Sequence, residues 1–153
     1  MAGNPMSRLA QPLRLLISTA WVGITWGIGY VAAPTLFARL PDRALAGTIA
    51  GYLFRVEALV SVVAAVLLLA LLWSARQMDA SARRRCLQLA GVMLACTLVG
   101  YYGLQPFMAE LRAAAGGIVT AEQSRQFGML HGVSSLFYLL KSLAGAWLVL
   151  RLR

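Results

Sequence analysis

Four stretches of this chain are almost free of charge and long enough to cross a lipid bilayer. Residues 15–38, 58–75 and 86–109 contain no Asp, Glu, Lys or Arg, and residues 126–150 contain only Lys141 among them, together with the single histidine, His131. A bilayer core about 30 Å thick is crossed by roughly 20 helical residues. Backbone amides in lipid must be satisfied within the segment, so apolar runs of this kind fold as helices. The expected fold is all-α: an integral membrane four-helix bundle forming one domain over 1–153, with spans at about 14–37, 47–74, 86–108 and 128–150. The first run has 24 uncharged residues, well beyond the apolar region of a signal peptide, so an uncleaved helix is expected there.

Composition agrees with lipid as the solvent. Sixty per cent of the residues are hydrophobic and 12% are charged, about half the charged share of a soluble domain. The net charge of +9 is not spread as a nucleic-acid-binding surface would be. If the helices alternate in direction, Arg8, Arg14, Arg76, Arg83, Arg84, Arg85, Arg151 and Arg153 share one side. The other side has Arg39, Arg43, Arg112 and Arg125 among Asp42, Glu110 and Glu122. The positive-inside rule then puts both termini and the 76–85 loop in the cytoplasm, as in a multi-pass protein of a bacterial inner membrane. Arg83, Arg84 and Arg85 form a basic cluster that suits anionic lipid headgroups, and no nucleic-acid partner is implied.

Local signals set the ends of the helices. Asp42 after Pro41 starts the second helix, whose first turns should project beyond the membrane. Thr120 and Gln123 in TAEQ form a capping box at the start of the fourth. Gly116 and Gly117 in AAAGGIV mark the clearest break. Three Gly-x-x-x-Gly pairs, Gly23 with Gly27, Gly47 with Gly51 and Gly128 with Gly132, predict close helix crossings within the bundle or a homo-oligomer face. Trp21, Trp26, Trp73 and Trp147 read as lipid or interface contacts.

Ionisable side chains inside a span cost roughly 2.5–3.5 kcal/mol each near a helix centre, so each needs a partner or a function. Arg55, Glu57, His131 and Lys141 are the four such groups. Arg55 and Glu57 lie about 200° apart around their helix and cannot easily pair. Glu57 is therefore the expected partner of Lys141 or of His131, either as a structural lock or as a proton or cation relay. His131 is expected in a hydrogen-bonded cluster drawn from Ser134, Ser135, Gln105 and Tyr102. The competing reading is a metal site in which His131 recruits Met129, Met93, Cys96 or Met108, soft donors suited to Cu(I). A haem site would need a second axial ligand from elsewhere. Cys86 and Cys96 lie about 15 Å apart along one helix and cannot bridge. No P-loop, nucleophile elbow or dinucleotide fingerprint is present, so no enzyme is expected.

The segments AWVGITWGIGYVAAPTLFARLP, AGTIAGYLF, LQPFMAELR and FGMLHGVSSLFYL together resemble the bacterial branch of the transmembrane protein 205-like family over residues 13–150. The likeness is sharpest at His131-Gly132-x-Ser134-Ser135-Leu136, with support from Trp21, Gly23, Pro34, Phe37, Phe54, Pro106 and Arg112. It implies a four-helix membrane protein, a domain without an assigned activity, and transport as a candidate role. One departure is Tyr138, where members of that family often carry asparagine. A fainter likeness to the copper-resistance D type membrane domains adds copper as a candidate ligand. The leading expectation is a small protein that binds or moves a solute, metal or lipid. A copper or haem protein and an accessory subunit of a membrane complex are the alternatives.

Overall fold

The structure, a computed structural model, describes residues 5–114 and 120–153. The Gly116–Gly117 break lies outside the described residues, as do the side chains of Arg8 and Arg112. The helices are α1 (Pro5–Trp26), α2 (Ala33–Arg39), α3 (Arg43–Trp73), α4 (Ala80–Thr97), α5 (Gln105–Ala114) and α6 (Ala121–Leu152). A π-helical turn over Gly27–Ala32 joins α1 to α2, and another over Leu98–Gly103 joins α4 to α5. The six helices therefore make four rods, each long and apolar enough to cross a membrane: Leu9–Arg39, Arg43–Trp73, Ala80–Leu111 and Ala121–Leu152. This is a multi-pass membrane protein, with rods longer than the expected spans.

Each π turn precedes a proline. Ala33 donates its amide to the Ile28 carbonyl, five residues back, and Pro34 follows. Leu104 likewise donates to Val99 at 3.1 Å, two residues before Pro106. A proline inside a helix lacks the N–H and crowds the carbonyl four residues earlier. A single widened turn accommodates this without ending the rod.

The caps follow the sequence closely. The Asp42 carboxylate accepts the amides of Ala44 (2.8 Å) and Leu45 (3.1 Å) at the start of α3. Asp79 does the same for Ala82 (2.9 Å) at α4. Thr120 and Gln123 form the reciprocal capping box of α6.

Packing differs between the two ends of the bundle. At the end carrying the termini, α1, α3, α4 and α6 close into a ring, with α1 on α3 and α6, and α4 on α3 and α6. Its core consists of Trp21, Val22, Ala64, Ala65, Leu68, Leu72, Cys86, Ala90, Met93, Ala144, Leu148 and Leu152. Arg14 is buried there, bonding the Ala10 carbonyl (3.0 Å) and the Met78 sulfur (2.8 Å). At the opposite end α2 packs on α3 and α5 packs on α6, and a cavity lies between the two pairs. Outside the bundle, Leu59, Val63, Val66, Leu136, Leu143 and Leu150 are each more than half exposed, an apolar surface that lipid covers.

The expectation of close crossings within the bundle at these glycine pairs is corrected. A Cβ on Gly23, Gly27, Gly51, Gly128 or Gly132 would meet nothing within 4 Å, and on Gly47 only the Phe37 ring at 3.9 Å. The close approaches fall elsewhere. A Cβ on Gly29 would collide with the Tyr138 ring, one on Gly145 would meet Val22 Cγ2 at 2.7 Å, and one on Gly100 would touch Phe137 Cβ at 3.4 Å. The reason is rotational: Gly23, Gly27, Gly128 and Gly132 face outward, whereas Gly47 and Gly51 line the cavity.

Candidate functional site

Two short patterns build the polar centre. Trp21 and Thr25 are four apart on α1, and Glu57 and Ser61 are four apart on α3, so each pair occupies one helix face. The two faces meet. The Trp21 indole donates to Ser61 Oγ at 2.8 Å, and Thr25 Oγ1 donates to Glu57 Oε1 at 2.9 Å. Lys141 enters from α6 and donates to Glu57 Oε1 at 2.5 Å and to Ser61 Oγ at 2.8 Å. Ser61 in turn donates to Glu57 Oε1 at 2.8 Å. Its hydroxyl thus gives one bond and receives two, which uses its full capacity.

The centre is buried and electrically balanced. Glu57 is 3% exposed and Lys141 2%, and together they carry one negative and one positive charge. A lone charge at this depth would be far more costly. Every buried side-chain nitrogen and oxygen among the described residues has a hydrogen-bond partner. All three donors to Glu57 converge on Oε1; Oε2 takes no hydrogen bond and, since no fully buried oxygen is left unpaired among the described residues, keeps some accessible surface on a side chain that lines the cavity.

Tyr138 couples this centre to the first π turn. Its hydroxyl donates to the Thr25 carbonyl at 2.6 Å, and its ring rests against Gly29. The Lys141 ammonium lies 5.6 Å from the ring centroid. Phe54 meets the same ring edge-on at 5.5 Å, and Tyr30 does so at 6.1 Å. The Tyr30 hydroxyl bonds Ser142 at 2.9 Å. At the second π turn, Ser134 Oγ bonds the Gly100 carbonyl at 3.4 Å.

The cavity between the two helix pairs has a volume of about 500 Å³. Glu57 and Lys141 are at its floor. Thr97, Ser134 and Tyr138 stand on its walls, and Tyr101, Gln105 and His131 lie toward the mouth. Tyr30, Phe37 and Leu139 line it while remaining 49%, 43% and 48% exposed.

Of the expected site residues, Glu57, Lys141, Ser134, Ser135, Tyr138, Gln105 and His131 line this one cavity. Arg55 and Tyr102 do not; both are exposed, Arg55 because it sits two residues round the helix from Glu57. The choice left open for Glu57 resolves to Lys141. His131 makes no link to Glu57 or to the third rod. Its ring is exposed and stacks on Phe127 at 6.1 Å with a 6° tilt, and Ser135 bonds its backbone carbonyl rather than its imidazole. The metal candidates are dispersed: Met93 is in the core, Met129 is 55% exposed outside the cavity, and Cys96 and Met108 line it. Among the described residues no three His, Cys, Asp or Glu side chains gather as a metal site.

Trp21, Thr25 and Ser61 were missed by the sequence reading. Trp21, expected at the lipid interface, is 1% exposed. The spacing of four in both pairs was the available signal, but it does not say which faces meet.

No match was found among curated proteins or among solved structures. A family model, the domain of unknown function DUF4149, matches residues 16–116. The match takes in Trp21, Thr25, Glu57 and Ser61 and ends before Tyr138 and Lys141. With about two thirds of its length covered by that model, the chain belongs to the DUF4149 family.

Proposed function

We propose that this protein is a non-enzymatic membrane protein that takes a small solute into the cavity between α2–α3 and α5–α6, either to hold it or to move it across the membrane. One observation carries this reading: a buried ion pair forms the floor of a cavity of about 500 Å³. A purely structural ion pair is best enclosed, because access by water weakens it. Volumes of roughly 300–1,000 Å³ are usual for small-molecule sites. The positive-inside pattern favours cytoplasmic termini in a bacterial inner membrane, with the cavity facing outward. Arg83, Arg84 and Arg85 would then meet anionic lipid. The transmembrane protein 205-like resemblance is in keeping with transport. A homo-oligomer through the outward-facing Gly23–Gly27 or Gly128–Gly132 pair fits the same reading, since four rods alone make a narrow pathway. The dispersed soft ligands favour neither the copper nor the haem alternative.

Cysteine accessibility tests the proposal. In protein lacking Cys86 and Cys96, Ser135→Cys and Gln105→Cys should react with a membrane-impermeant thiol reagent from the side opposite the termini. Leu68→Cys, in the closed core, should stay unreactive. A Ser135→Cys protein inert from both sides contradicts the open cavity and, with it, the solute reading.

A further inference from the structure

Resting on the solute-binding reading, we infer that the occupant of this cavity is a small organic ammonium with an apolar body, held through its N–H groups by Glu57 and exchanged for a proton from Lys141. The inventory of donors and acceptors at the floor points to this class. A hydroxyl has one proton to give, and the cavity's deeper hydroxyls have already given theirs. Tyr138 donates to the Thr25 carbonyl, Ser134 to the Gly100 carbonyl and Thr97 to the Met93 carbonyl. Toward a ligand these groups offer only lone pairs. Glu57 adds Oε2, a carboxylate oxygen free of the three bonds that crowd Oε1, on a side chain only 3% exposed. Lys141 is the one donor at this depth, and two of its three protons are engaged by Glu57 and Ser61. The walls add Tyr30, Phe37, Phe54 and Tyr101, aromatic rings whose faces attract cations. At the floor a carboxylate or phosphate would find acceptors where it needs donors; the side-chain donors of Tyr101, Gln105 and His131 lie toward the mouth. An ammonium finds the reverse.

Charge balance then requires an exchange. The floor is neutral with Glu57 and Lys141 both ionised, and a third, unpaired charge in this buried layer is strongly disfavoured. As the ligand's ammonium pairs with Oε2, Lys141 releases one proton to the water at the cavity mouth and stays as a neutral amine on Oε1. One positive charge enters and one leaves, and only an N–H bond is broken. The titratable groups facing Lys141 are Glu57 from α3, Cys96 from α4, Tyr30 from the first rod and Tyr138 on α6, with Tyr101 and His131 further out. Among the described residues no arginine lines the cavity.

The test compares three probes of one skeleton, phenethylammonium, phenethyl alcohol and phenylacetate, on the full-length protein in lipid nanodiscs, read by tryptophan fluorescence. Phenethylammonium should bind at least about tenfold more tightly than the other two, release one proton per molecule bound, and weaken about tenfold for each unit of acidification. The paired variant Glu57→Gln with Lys141→Met, which keeps the layer uncharged, should lose this binding while retaining its helical circular dichroism. Equal or tighter binding of the alcohol or phenylacetate overturns the ammonium assignment and leaves the solute reading standing. So does ammonium binding that survives the paired variant, which marks simple partition into lipid. Binding of none of the three overturns the assignment as well, and the reactivity of Ser135→Cys then shows whether the cavity reading falls with it.

Discussion

Lys141 on α6 and Glu57 on α3, 84 positions apart in sequence, form an ion pair in which both side chains are almost wholly buried. The pair sits at the boundary between the two halves of the molecule. On one side the apolar core closes all four rods together; on the other the rods separate around the cavity. Trp21, Thr25 and Ser61 complete the layer by spending their own donors on it. The same residues therefore stabilise the bundle and form the floor of the cavity.

Removing one member of the pair should be far worse than removing both. Lys141→Met or Glu57→Leu alone leaves an uncompensated buried charge, with an expected cost of about 3–5 kcal/mol. The double variant Glu57→Leu with Lys141→Met should recover most of that loss. Thermal unfolding of the four proteins in one detergent measures the coupling. Additive losses in the double variant would mean that the pair is not a unit.

Substitutions at glycine should separate the crowded positions from the open ones. Gly29→Ala should destabilise by about 1–3 kcal/mol, the usual cost of overpacking, because its methyl would run into the Tyr138 ring. Gly29→Ala combined with Tyr138→Ala should lose that clash. Gly128→Ala and Gly23→Ala meet no neighbour, and the better helix propensity of alanine should leave stability unchanged or raised by up to about 1 kcal/mol. If these two instead dissociate an oligomer seen by native mass spectrometry, their glycines belong to a face between copies.

Tyr138→Phe keeps the ring against Gly29 and loses only the bond to the Thr25 carbonyl. The expected loss is about 0.5–1.5 kcal/mol, the net value of one such bond. Amide exchange should quicken around Gly27–Ala32, and unchanged exchange there would show that the hydroxyl does not hold the π turn.

Acid should loosen the start of α4 before the rest of the bundle. Bonds from the Ser81 hydroxyl and the Ala82 amide, in that order, hold the Asp79 carboxyl below the usual carboxylate range. A depressed value means that the folded state prefers the ionised form. Its stabilising contribution is therefore complete above the ordinary carboxylate pKa and is lost as pH falls through the lowered value. Asp79→Asn should keep a cap while removing this pH dependence, and Asp79→Ala should fray the first turn at every pH. Hydrogen exchange of Ala80–Arg84 across an acid titration distinguishes the three.

The helix ends were readable because capping is local: Asp42, Thr120 and Gln123 act on amides within three residues of themselves. The π turns leave a trace in Pro34 and Pro106, each just past a glycine- and tyrosine-bearing stretch, but a proline alone does not tell a widened turn from a helix end. His131 drew attention by being unique, and uniqueness says nothing of which way a ring points. Its place at the cavity mouth against Phe127 follows from the rotation of α6.

The sequence by itself determined four membrane-crossing rods, their approximate limits and the presence of costly charges within two of them. Those properties depend on length and hydropathy along one segment, since lipid tests each segment for itself. Only the tertiary structure decided that Glu57 meets Lys141 rather than His131, that Gly29 and Gly145 are the crowded glycines, and that Trp21 turns inward. These outcomes depend on the rotation and relative depth of rods far apart in sequence. Lipid favours no one rotation of a rod that is apolar nearly all round. The rotation is set by the few polar side chains that have to find one another.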